Sequence, residues 1–390
     1  MKKSLFGYGI TTKEIAKSGG WEIFDDSFKE IKSDEHGNLL LPSALFDAEH
    51  SNLEITSPGI PPTNPLIKKA KNLISEFDYY YEDSPFQIWI TGTNGKTTTT
   101  QMTGHILNAP VGGNIGIPLG RLDKNEKFWV IEASSFQLYY TKFAKPDIFV
   151  ILPIKDDHVS WHGSFENYVK AKLSPLKRMT QRDVVILPEE FQNINTAAYK
   201  ITYKNEYDLI EKFGFKELNF KTPFLLDEVL AKTVGYILFF KEFSLKNFKI
   251  DPHKMEEFKD KKTRLWVDDS KATNVDATIN ALKRYQKEKI HLIIGGVDKA
   301  QDFNPLFEMM KNLNITLYII GENRKIFIEL SKKYGVEYID SHTLPNAVKE
   351  IDKRHDNKSV AVLSPACASF DQFKSYKHRG EEFKKCVMSI

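Results

Sequence analysis

The residues with the clearest chemistry form a glycine turn followed by a lysine and a threonine, in the segment FQIWITGTNGKT at residues 86–97. Gly92 and Gly95 let the backbone aim its N–H groups at phosphate oxygens. Lys96 supplies a positive charge, and the Thr97 hydroxyl can complete a magnesium shell. The glycine-to-lysine spacing is shorter than in G-x-x-x-x-G-K-[ST], but an apolar strand precedes the turn and a helical pattern follows it. The segment therefore predicts a nucleotide phosphate loop rather than a surface turn.

A carboxylate stands at the end of the next apolar strand of this block, in KFWVIEASSFQ. Glu132 is the charged residue at that strand end, where it could hold Mg²⁺ opposite Thr97. The alternative is a carboxylate that caps the following helix together with Ser134 and Ser135. We expect Glu132 to be a metal ligand.

Two histidines four residues apart follow another strand, in ILPIKDDHVSWHGSFENYVKAKLSPL. Such spacing can indicate a metal pair on a helix, but Gly163 indicates a loop between His158 and the helix that begins near Ser164. A single functional histidine is thus expected rather than a zinc site. That helix carries Lys170 and Lys172, for which a solvated helix face is the simplest interpretation.

Three loops of the last third of the chain share basic and hydroxyl residues directly after strands. For each loop taken alone, helix caps or turns are an equally good interpretation. Together with the phosphate loop upstream, they predict that ATP and an acidic substrate meet between domains. The residues concerned are Lys271, Thr273, Lys299, Ser364 and Ser369.

Apolar strands alternate with helical stretches, a pattern typical of parallel sheets covered by helices. The pattern restarts three times, so we predict an α/β protein of three Rossmann-like domains with mostly parallel sheets. The predicted domains are 1–83, a central P-loop ATPase-type domain at 84–251, and 252–390. The first opens with half of a dinucleotide-type fingerprint, and residues 191–249 give no clear pattern.

Composition narrows the functional classes. The 390 residues carry a net charge of +3 with basic and acidic residues interspersed, which does not indicate a nucleic-acid partner. Two cysteines give no disulfide framework, and neither a secretory signal nor a segment of membrane-spanning length is present. We expect a cytoplasmic, monomeric enzyme with small-molecule substrates and no membrane partner.

Six separated motifs resemble the Mur ligase family in order and spacing, across nearly the whole chain. The last two resemble the branch of the family that adds D-glutamate. The motifs are TGTNGKTT, GGNIGIP, IEASSFQL, DDHVSWHGSFENY, DSKATN and LSPACASFDQF.

The resemblance implies that ATP phosphorylates the L-alanyl carboxylate of UDP-N-acetylmuramoyl-L-alanine and that D-glutamate then attacks the acyl phosphate. It implies two Mg²⁺ sites, with Lys96, Glu132, His158 and a carbamylated Lys172 as the catalytic set. Metal ligands would be Thr97, Glu132, His158 and the carbamylated Lys172. ATP would contact Gly92, Thr93, Asn94, Gly95, Lys96, Thr97, Thr98, Lys254, Asp269 and Lys271. The UDP-sugar would contact Gly9, Ile10, Thr11, Asp25, Gly59, Asn114, Ser134 and Gln137. D-glutamate would contact Thr273, Lys299, Ser369 and Tyr376.

Two departures from the family pattern concern ATP and one concerns D-glutamate. The His-Asn-x-x-Asn element near the adenine site is replaced by Phe-Leu-Leu-Asp-Glu at 224–228, and a family His-Arg pair reads His253-Lys254. Tyr376 stands where phenylalanine is frequent. The alternatives are another Mur ligase or a folylpolyglutamate synthase-like ligase, a P-loop regulator or kinase that ligates nothing, and a non-catalytic scaffold.

Overall fold

The computed structural model describes residues 2–298 and 301–390. Three six-stranded sheets follow one another along the chain, and each is mainly parallel. The predicted fold class of three mostly parallel α/β domains is therefore confirmed, whereas the boundaries at 83/84 and 251/252 stay predictions. By its internal packing the chain forms two compact units. The first is Met1–Ile154, Trp161–Phe220 and Phe224–Phe248, and the second is Lys155–Ser160, Lys221–Pro223 and Lys249–Ile390.

The first sheet has the strand order β3-β4-β2-β1-β5-β6, and its one antiparallel pair is β3 with β4. A buried aromatic group on one face, Phe6, Phe24 and Phe46, holds the short strands together through edge-on ring contacts. The elements are β1 (Lys2–Phe6), α1 (Ile10–Ala16), β2 (Trp21–Phe24), β3 (Lys32–Ser33), β4 (Leu39–Leu41), β5 (Ser51–Thr56), α2 (Pro65–Lys69), β6 (Leu73–Ile74) and α3 (Glu76–Tyr80).

The second sheet has the order β12-β11-β10-β7-β9-β8 and is parallel throughout. Its central strand is apolar on both faces, as a sheet covered on both sides requires, and Ile88, Trp89 and Ile90 are fully buried. The elements are β7 (Phe86–Thr91), α4 (Lys96–Leu107), β8 (Val111–Gly113), β9 (Phe128–Glu132), α5 (Ser135–Tyr140), β10 (Ile148–Ile151), α6 (Val159–His162), α7 (Phe165–Leu173), β11 (Val184–Pro188), β12 (Tyr199–Tyr203), α8 (Glu206–Phe213) and α9 (Leu225–Phe239).

The third sheet has the order β13-β14-β18-β15-β16-β17, with β13 antiparallel at one edge. The five predicted strands of this block are β14 to β18, while the edge strand β13 was not predicted. The elements are β13 (Glu256–Lys259), β14 (Leu265–Asp268), α10 (Val275–Arg284), β15 (Lys289–Gly295), α11 (Asn304–Met310), β16 (Ile315–Ile320), α12 (Arg324–Tyr334), β17 (Glu337–His342), α13 (Leu344–Asp352), β18 (Ser359–Leu363) and α14 (Tyr376–Met388).

The stretch at 191–249 that gave no sequence pattern contains β12, α8 and α9. Helix α9 is buried nearly all round its first ten residues, including the charged Asp227, Glu228 and Lys232, and it packs on α4 and α8. A helix buried on most sides lacks the polar stripe that marks a surface helix, which explains the missing periodicity. No helix in the described part of the chain has the length and apolarity to cross a bilayer.

Candidate functional site

The phosphate loop lies at the carboxyl end of the central strand β7. Parallel pairing aligns Ile90 with Glu132 on β9 and Thr91 with Ile151 on β10, so three strand ends meet beside the loop. Gly95 has φ +82° and Gly92 has φ +147°, a region that favours glycine. A Cβ at Gly92 would lie 2.5 Å from Leu152 Cβ, so the loop sequence is dictated by its backbone.

Helix α4 begins at Lys96, directly after the loop, as the sequence predicts. The Nζ of Lys96 donates hydrogen bonds to the carbonyl oxygens of Gly92 (3.0 Å) and Thr93 (2.7 Å). Thr97 and Thr98 lie in the first turn of α4, and the N–H groups and dipole of a helix N-terminus attract phosphate. The loop therefore combines an ammonium group and a helix N-terminus, the two elements of an anion cradle.

Lys172 does not lie on a solvated face. Its side chain is 1% exposed, while Lys170 on the same helix is exposed. The Nζ of Lys172 donates to the carbonyl oxygen of Gly92 at 2.6 Å and lies 3.5 Å from the Thr91 hydroxyl. It also lies 4.7 Å from the ring centre of Tyr168. The interpretation as a solvated helix face is wrong for Lys172 and stands for Lys170.

Glu132 is 2% exposed at the end of β9, beside the loop. Its Oε1 accepts a hydrogen bond from Asn114 Nδ2 at 2.7 Å, while Oε2 is buried without a hydrogen-bond partner among the described residues. The capping alternative fails, because Ser134 and Gln137 cap α5 reciprocally. A buried carboxylate oxygen with no donor is costly, and a divalent cation with oxygen preference would satisfy it.

The two histidines have different surroundings. His162 is buried in α6, and its Nε2 lies 2.9 Å from the Ser135 hydroxyl while its ring stacks on Phe136. His158 precedes α6 with φ +55° and is half-exposed, with its Nε2 3.5 Å from Asp157 Oδ2. His162 is thus packed as a core residue, which agrees with the expectation of one functional histidine. The segment of His158 groups with the second unit.

Asp227 of α9 is a neighbour of the loop that sequence analysis did not select. Its Oδ1 accepts a hydrogen bond from the Thr99 hydroxyl at 2.7 Å, and a Cβ at Gly95 would lie 2.4 Å from the same oxygen. This carboxylate therefore contacts both the loop, at Gly95, and helix α4, at Thr99. In the sequence, its position in the stretch that replaces the family's His-Asn-x-x-Asn element could have identified Asp227 as a site residue.

In the first sheet, the predicted UDP-sugar residues cluster at the carboxyl ends of β1 and β2. Gly9 precedes α1, and Asp25 accepts hydrogen bonds from the backbone N–H of Tyr8 (2.8 Å) and from Ser27. Burial raises the pKa of the Asp25 carboxyl, but these hydrogen bonds outweigh it and hold the pKa below its usual range. Ile10, the first residue of α1, is 62% exposed.

The loop at Gly59 is tied to the second sheet. Trp161 Nε1 lies 3.4 Å from the Gly59 carbonyl oxygen, and the Tyr140 hydroxyl donates to the Ile60 carbonyl at 2.6 Å. Of the other predicted UDP-sugar residues, Asn114, Ser134 and Gln137 lie together near Glu132 and Thr11 lies in α1. The predicted set thus spans two sheets of one compact unit.

The third sheet brings the loops after β14 and β18 together. Asp269 is 7% exposed, and its Oδ2 accepts a hydrogen bond from the Ser364 hydroxyl at 2.7 Å. Burial raises the pKa of the Asp269 carboxyl to about 7, although the Ser364 hydrogen bond opposes this. Lys271 Nζ lies 5.7 Å from the ring centre of Tyr376, the first residue of α14. Predicted ATP and D-glutamate residues therefore lie in adjoining loops.

Arg379 holds these two loops and was not selected from the sequence. The buried guanidinium donates to the Ser270 hydroxyl (3.0 Å), to the Ser270 carbonyl (2.8 Å) and to the Cys367 carbonyl (3.1 Å). Burial lowers its pKa to about 10, so it stays charged at neutral pH. In the sequence, only its position in KSYKHRG, about one helical turn after Tyr376, could have indicated that Arg379 belongs to the site.

The remaining predicted residues of the ATP and D-glutamate sites differ in burial. Ser369 is buried, Thr273 is half-buried, and neither is a helix cap, because Asn274 and Ser375 cap α10 and α14. Lys299 lies outside the described residues. Lys254 is 8% exposed with its Nζ 3.2 Å from Asp251 Oδ2.

Comparisons with known proteins agree on one family. Residues 90–256 match the model of the Mur ligase middle domain. The chain is 51% identical over 402 residues to the UDP-N-acetylmuramoylalanine--D-glutamate ligase of Campylobacter jejuni subsp. jejuni serotype O:6, with 100% of both chains covered. It is 44% identical over 421 residues to the protein of the same name from Helicobacter pylori strain J99, again with 100% of both covered. A solved structure of the MurF ligase from Thermotoga maritima in complex with ADP aligns with a TM-score of 0.58 at 14% identity, covering 86% of this chain and 88% of that one.

Proposed function

The chain belongs to the Mur ligase family, and from this premise we propose that it is an ATP-dependent ligase that joins D-glutamate to UDP-N-acetylmuramoyl-L-alanine, a step of peptidoglycan synthesis. The observation that carries the proposal is full-length identity of 44–51% to relatives named for this reaction. The buried loops on the second and third sheets support it, because each gathers the residue types that anionic reactants need.

The reaction has two transfers. The L-alanyl carboxylate attacks the γ-phosphorus of ATP, the bond to the β-phosphate oxygen breaks, and ADP leaves. The amine of D-glutamate then attacks the acyl-phosphate carbon, loses a proton and expels inorganic phosphate, leaving an amide. The reactants and intermediates are anionic, so the protein's main contribution is charge neutralisation and positioning.

The phosphate loop would hold the ATP phosphates. A rotation of the Lys96 side chain away from the Gly92 and Thr93 carbonyls would bring its Nζ to a phosphate oxygen, and both of these hydrogen bonds lie within the loop. The N–H groups of the loop and first helical turn would bind the same phosphates. The proposed ATP contacts are Gly92, Thr93, Asn94, Gly95, Lys96, Thr97 and Thr98, with Lys254, Asp269 and Lys271 on the nucleoside side.

The donor set fits Mg²⁺, because oxygen ligands surround the loop and Glu132 Oε2 is buried without a donor in the described part of the chain. Thr97 and Glu132 would hold one ion, and His158 with Lys172 a second. Bound there, Mg²⁺ would neutralise the phosphate charge during transfer. Asn114 orients Glu132 by binding its Oε1.

We propose that Lys172 is carbamylated in the active enzyme. The ammonium would first lose a proton, and the free amine would then add to the carbon of CO₂ and lose a second proton, which converts a cation into an anionic oxygen ligand. The carbamate nitrogen keeps one N–H, enough for the bond that Lys172 makes to the Gly92 carbonyl. An ammonium at this position would repel a nearby divalent cation, whereas the carbamate would bind it.

The substrate subsites are proposed from the same family match. Gly9, Ile10, Thr11, Asp25, Gly59, Asn114, Ser134 and Gln137 would contact the UDP-sugar, and Thr273, Lys299, Ser369 and Tyr376 would contact D-glutamate. The exposure of Ile10 supports a surface left open for a ligand. We further propose a cytoplasmic monomer, and a chain with only the two cysteines Cys367 and Cys386 suits a reducing compartment.

Phosphate release from ATP tests the proposal directly. The UDP-muramoyl-alanine precursor is supplied with D-glutamate, L-glutamate, L-alanine or a diamino acid. We expect turnover with D-glutamate alone, because a polar site left half-filled can discriminate by roughly 10⁴-fold. Comparable turnover with a diamino acid or L-alanine would assign the chain to another ligase, and nucleotide hydrolysis that ignores every amino acid would favour a P-loop switch.

A further inference from the structure

A short 3-10 turn, Leu119–Arg121, follows the loop that carries Asn114 and packs against helices α1 and α3 of the first sheet. The Leu119 side chain is buried in the core of the second sheet. The turn therefore connects the parts of the chain that hold the proposed UDP-sugar residues. We call Gly9, Ile10, Thr11, Asp25 and Gly59 the first-sheet half of that set, and Asn114, Ser134 and Gln137 the second-sheet half.

Glu76, the first residue of α3, holds this turn. Its side chain is 3% exposed, and its Oε1 accepts a hydrogen bond from the backbone N–H of Leu119 at 2.8 Å. Gly120 lies so close to the same helix that a Cβ there would collide with the Tyr80 hydroxyl oxygen. Glu76 lies outside the proposed catalytic and binding sets, so the proposed reaction does not otherwise use this buried carboxyl.

The turn is also bonded to α1. Arg121 Nε donates a hydrogen bond to Glu14 Oε2 at 2.7 Å. Helix α1 begins at Ile10 and includes Thr11, which both belong to the first-sheet half. The turn is therefore tied to the helix that presents part of that half.

The loop before the turn belongs to the second-sheet half. The Gly113 N–H donates to the Ile117 carbonyl at 2.7 Å, which closes a tight loop around Asn114. The Asn114 N–H donates to the Glu132 carbonyl at 2.8 Å, and Asn114 Nδ2 donates to Glu132 Oε1 at 2.7 Å. One proline separates this loop from the turn, and its ring fixes the backbone φ there. A displacement of the turn would therefore displace Asn114 as well.

The Glu76 carboxyl is costly to bury. Burial raises its pKa to about 7, while the bond from Leu119 opposes this shift and the charge of Glu14 adds to it. Glu14 in turn is bonded to Lys17 and Arg121. Near neutral pH Glu76 is readily protonated, so its useful property at the turn is one accepting oxygen. An amide oxygen would serve in its place.

We propose that Glu76 is a positioning residue for the UDP-sugar: by holding Leu119, it fixes the distance between the first-sheet half and the second-sheet half of the set. The inference rests on the proposed function, because it requires one ligand that contacts both halves. Such a ligand binds tightly only when the halves already lie at the matching distance, since a site that must be ordered on binding loses affinity. UDP alone lacks the muramoyl-alanine part and gains less from that distance.

Isothermal titration calorimetry with UDP-N-acetylmuramoyl-L-alanine and with UDP measures the effect. Glu76→Met nearly keeps the side-chain volume but leaves the Leu119 N–H without its acceptor. We expect Kd for the precursor to rise roughly tenfold, the factor that one unsatisfied buried N–H costs. Kd for UDP should rise by less than about threefold. Glu76→Gln keeps an accepting oxygen and should bind the precursor within about twofold of wild type.

Glu54→Met is the matched control. Glu54 in β5 is also a buried carboxyl of the first sheet that accepts a backbone N–H bond, in this case from Asn72. Both Met variants should lower Tm, because each loses one buried hydrogen bond. Only Glu76→Met should weaken precursor binding, whereas a purely structural role for Glu76 would give the two variants the same Kd.

Arg121→Gln tests the same turn from its exposed side and covers the case in which Glu76→Met does not fold. Loss of the bond to Glu14 should raise Kd for the precursor by about threefold. Lys124→Gln, which breaks the exposed ion pair to Asp83, should not change it.

Wild-type affinity for the precursor in folded Glu76→Met would overturn the positioning role and leave the proposed function standing. If that variant does not fold, wild-type affinity in Arg121→Gln has the same meaning. Failure of the wild-type protein to bind the precursor would overturn the proposed function, and this inference with it.

Discussion

The Nζ of Lys172 lies 2.6 Å from the carbonyl oxygen of Gly92, so a lysine of helix α7 is bonded to the backbone of the phosphate loop. The Lys172 side chain is buried. It reaches the loop from α7, which follows β10, whereas Lys96 begins α4, which follows β7. The side chains of Lys96 and Lys172 thus both bond to the Gly92 carbonyl oxygen, which lies 3.0 Å from Lys96 Nζ. A second buried amine at this place is costly unless it is chemically modified or used in catalysis.

Lys172→Ala should be almost inactive and partly rescued by added short-chain carboxylic acids, which can enter the vacated space and act as oxygen ligands. Initial rates of phosphate release with and without acetate measure the rescue. Lys170→Ala, on the exposed face of the same helix, should remain near wild type. Full activity of Lys172→Ala without any acid would contradict the carbamate proposal.

Lys96→Ala should lower kcat/KM for ATP by about two orders of magnitude or more, since one preorganised charged donor contributes on the order of 3 kcal/mol to such a transition state. The fold should persist, because Lys96 lies half-buried at the phosphate loop and bonds to the Gly92 and Thr93 carbonyls of that loop. Circular dichroism and Tm check the fold alongside the assay. An unfolded variant, or one with near-normal phosphate release, would count against the phosphate-loop assignment.

Glu132→Gln should raise the Mg²⁺ concentration needed for half-maximal activity by roughly tenfold or more, by analogy with the loss of other metal-supporting groups. The amide oxygen can still accept the Asn114 hydrogen bond, so stability should change little. Titration of activity with MgCl₂ gives the shift directly. Glu126→Gln removes an exposed carboxylate nearby along the chain and should leave the titration unchanged.

Arg379→Lys should destabilise the protein by about 2 kcal/mol and raise KM for D-glutamate more than it lowers kcat. A lysine cannot reproduce the guanidinium bonds to Ser270 and Cys367 that hold the two loops together. Steady-state kinetics and urea unfolding measure both effects. Arg354→Lys, which alters an exposed ion pair to Glu337, should be neutral in both assays.

Acid should destabilise the third sheet through two buried histidines whose rings are 5.6 Å apart, His291 and His355. Burial lowers the pKa of each to about 4; His355 lowers the pKa of His291 further, and the Arg264 guanidinium lowers that of His355 further. Because the unfolded state binds protons near pH 6.5, their contribution is fully present above that pH. It is lost as pH falls from about 6.5 toward 4.

Urea unfolding at pH 7.5 and pH 5 measures this loss. His291→Gln should reduce the difference in the free energy of unfolding between pH 7.5 and pH 5, since one titrating group is removed from the core. His36→Gln, at an exposed histidine of the first sheet, should leave the difference unchanged. Equal pH dependence in wild type and His291→Gln would show that other groups dominate acid unfolding.

Much of the fold was predictable from local pattern. Apolar runs located β7, β9, β10 and β11 of the second sheet and β14 to β18 of the third, because a parallel strand buried on both faces must be apolar throughout. The glycines of the phosphate loop were predictable for a similar reason, since only glycine accepts their backbone angles and the close approach of Leu152. Helix α9 was not predictable, because burial on most sides removes the amphipathic signal.

Within the site, the sequence by itself determined which residue types occur at the strand ends, and these types made Lys96, Glu132 and Lys271 candidates. Only the tertiary structure decided burial and partners. It shows that Lys172 is buried while Lys170 is not, that Ser134 rather than Glu132 caps α5, and that Arg379 joins two loops about a hundred residues apart in sequence. The physical reason is that residue type and spacing are local properties, whereas burial and hydrogen-bond partners depend on which distant segments pack together.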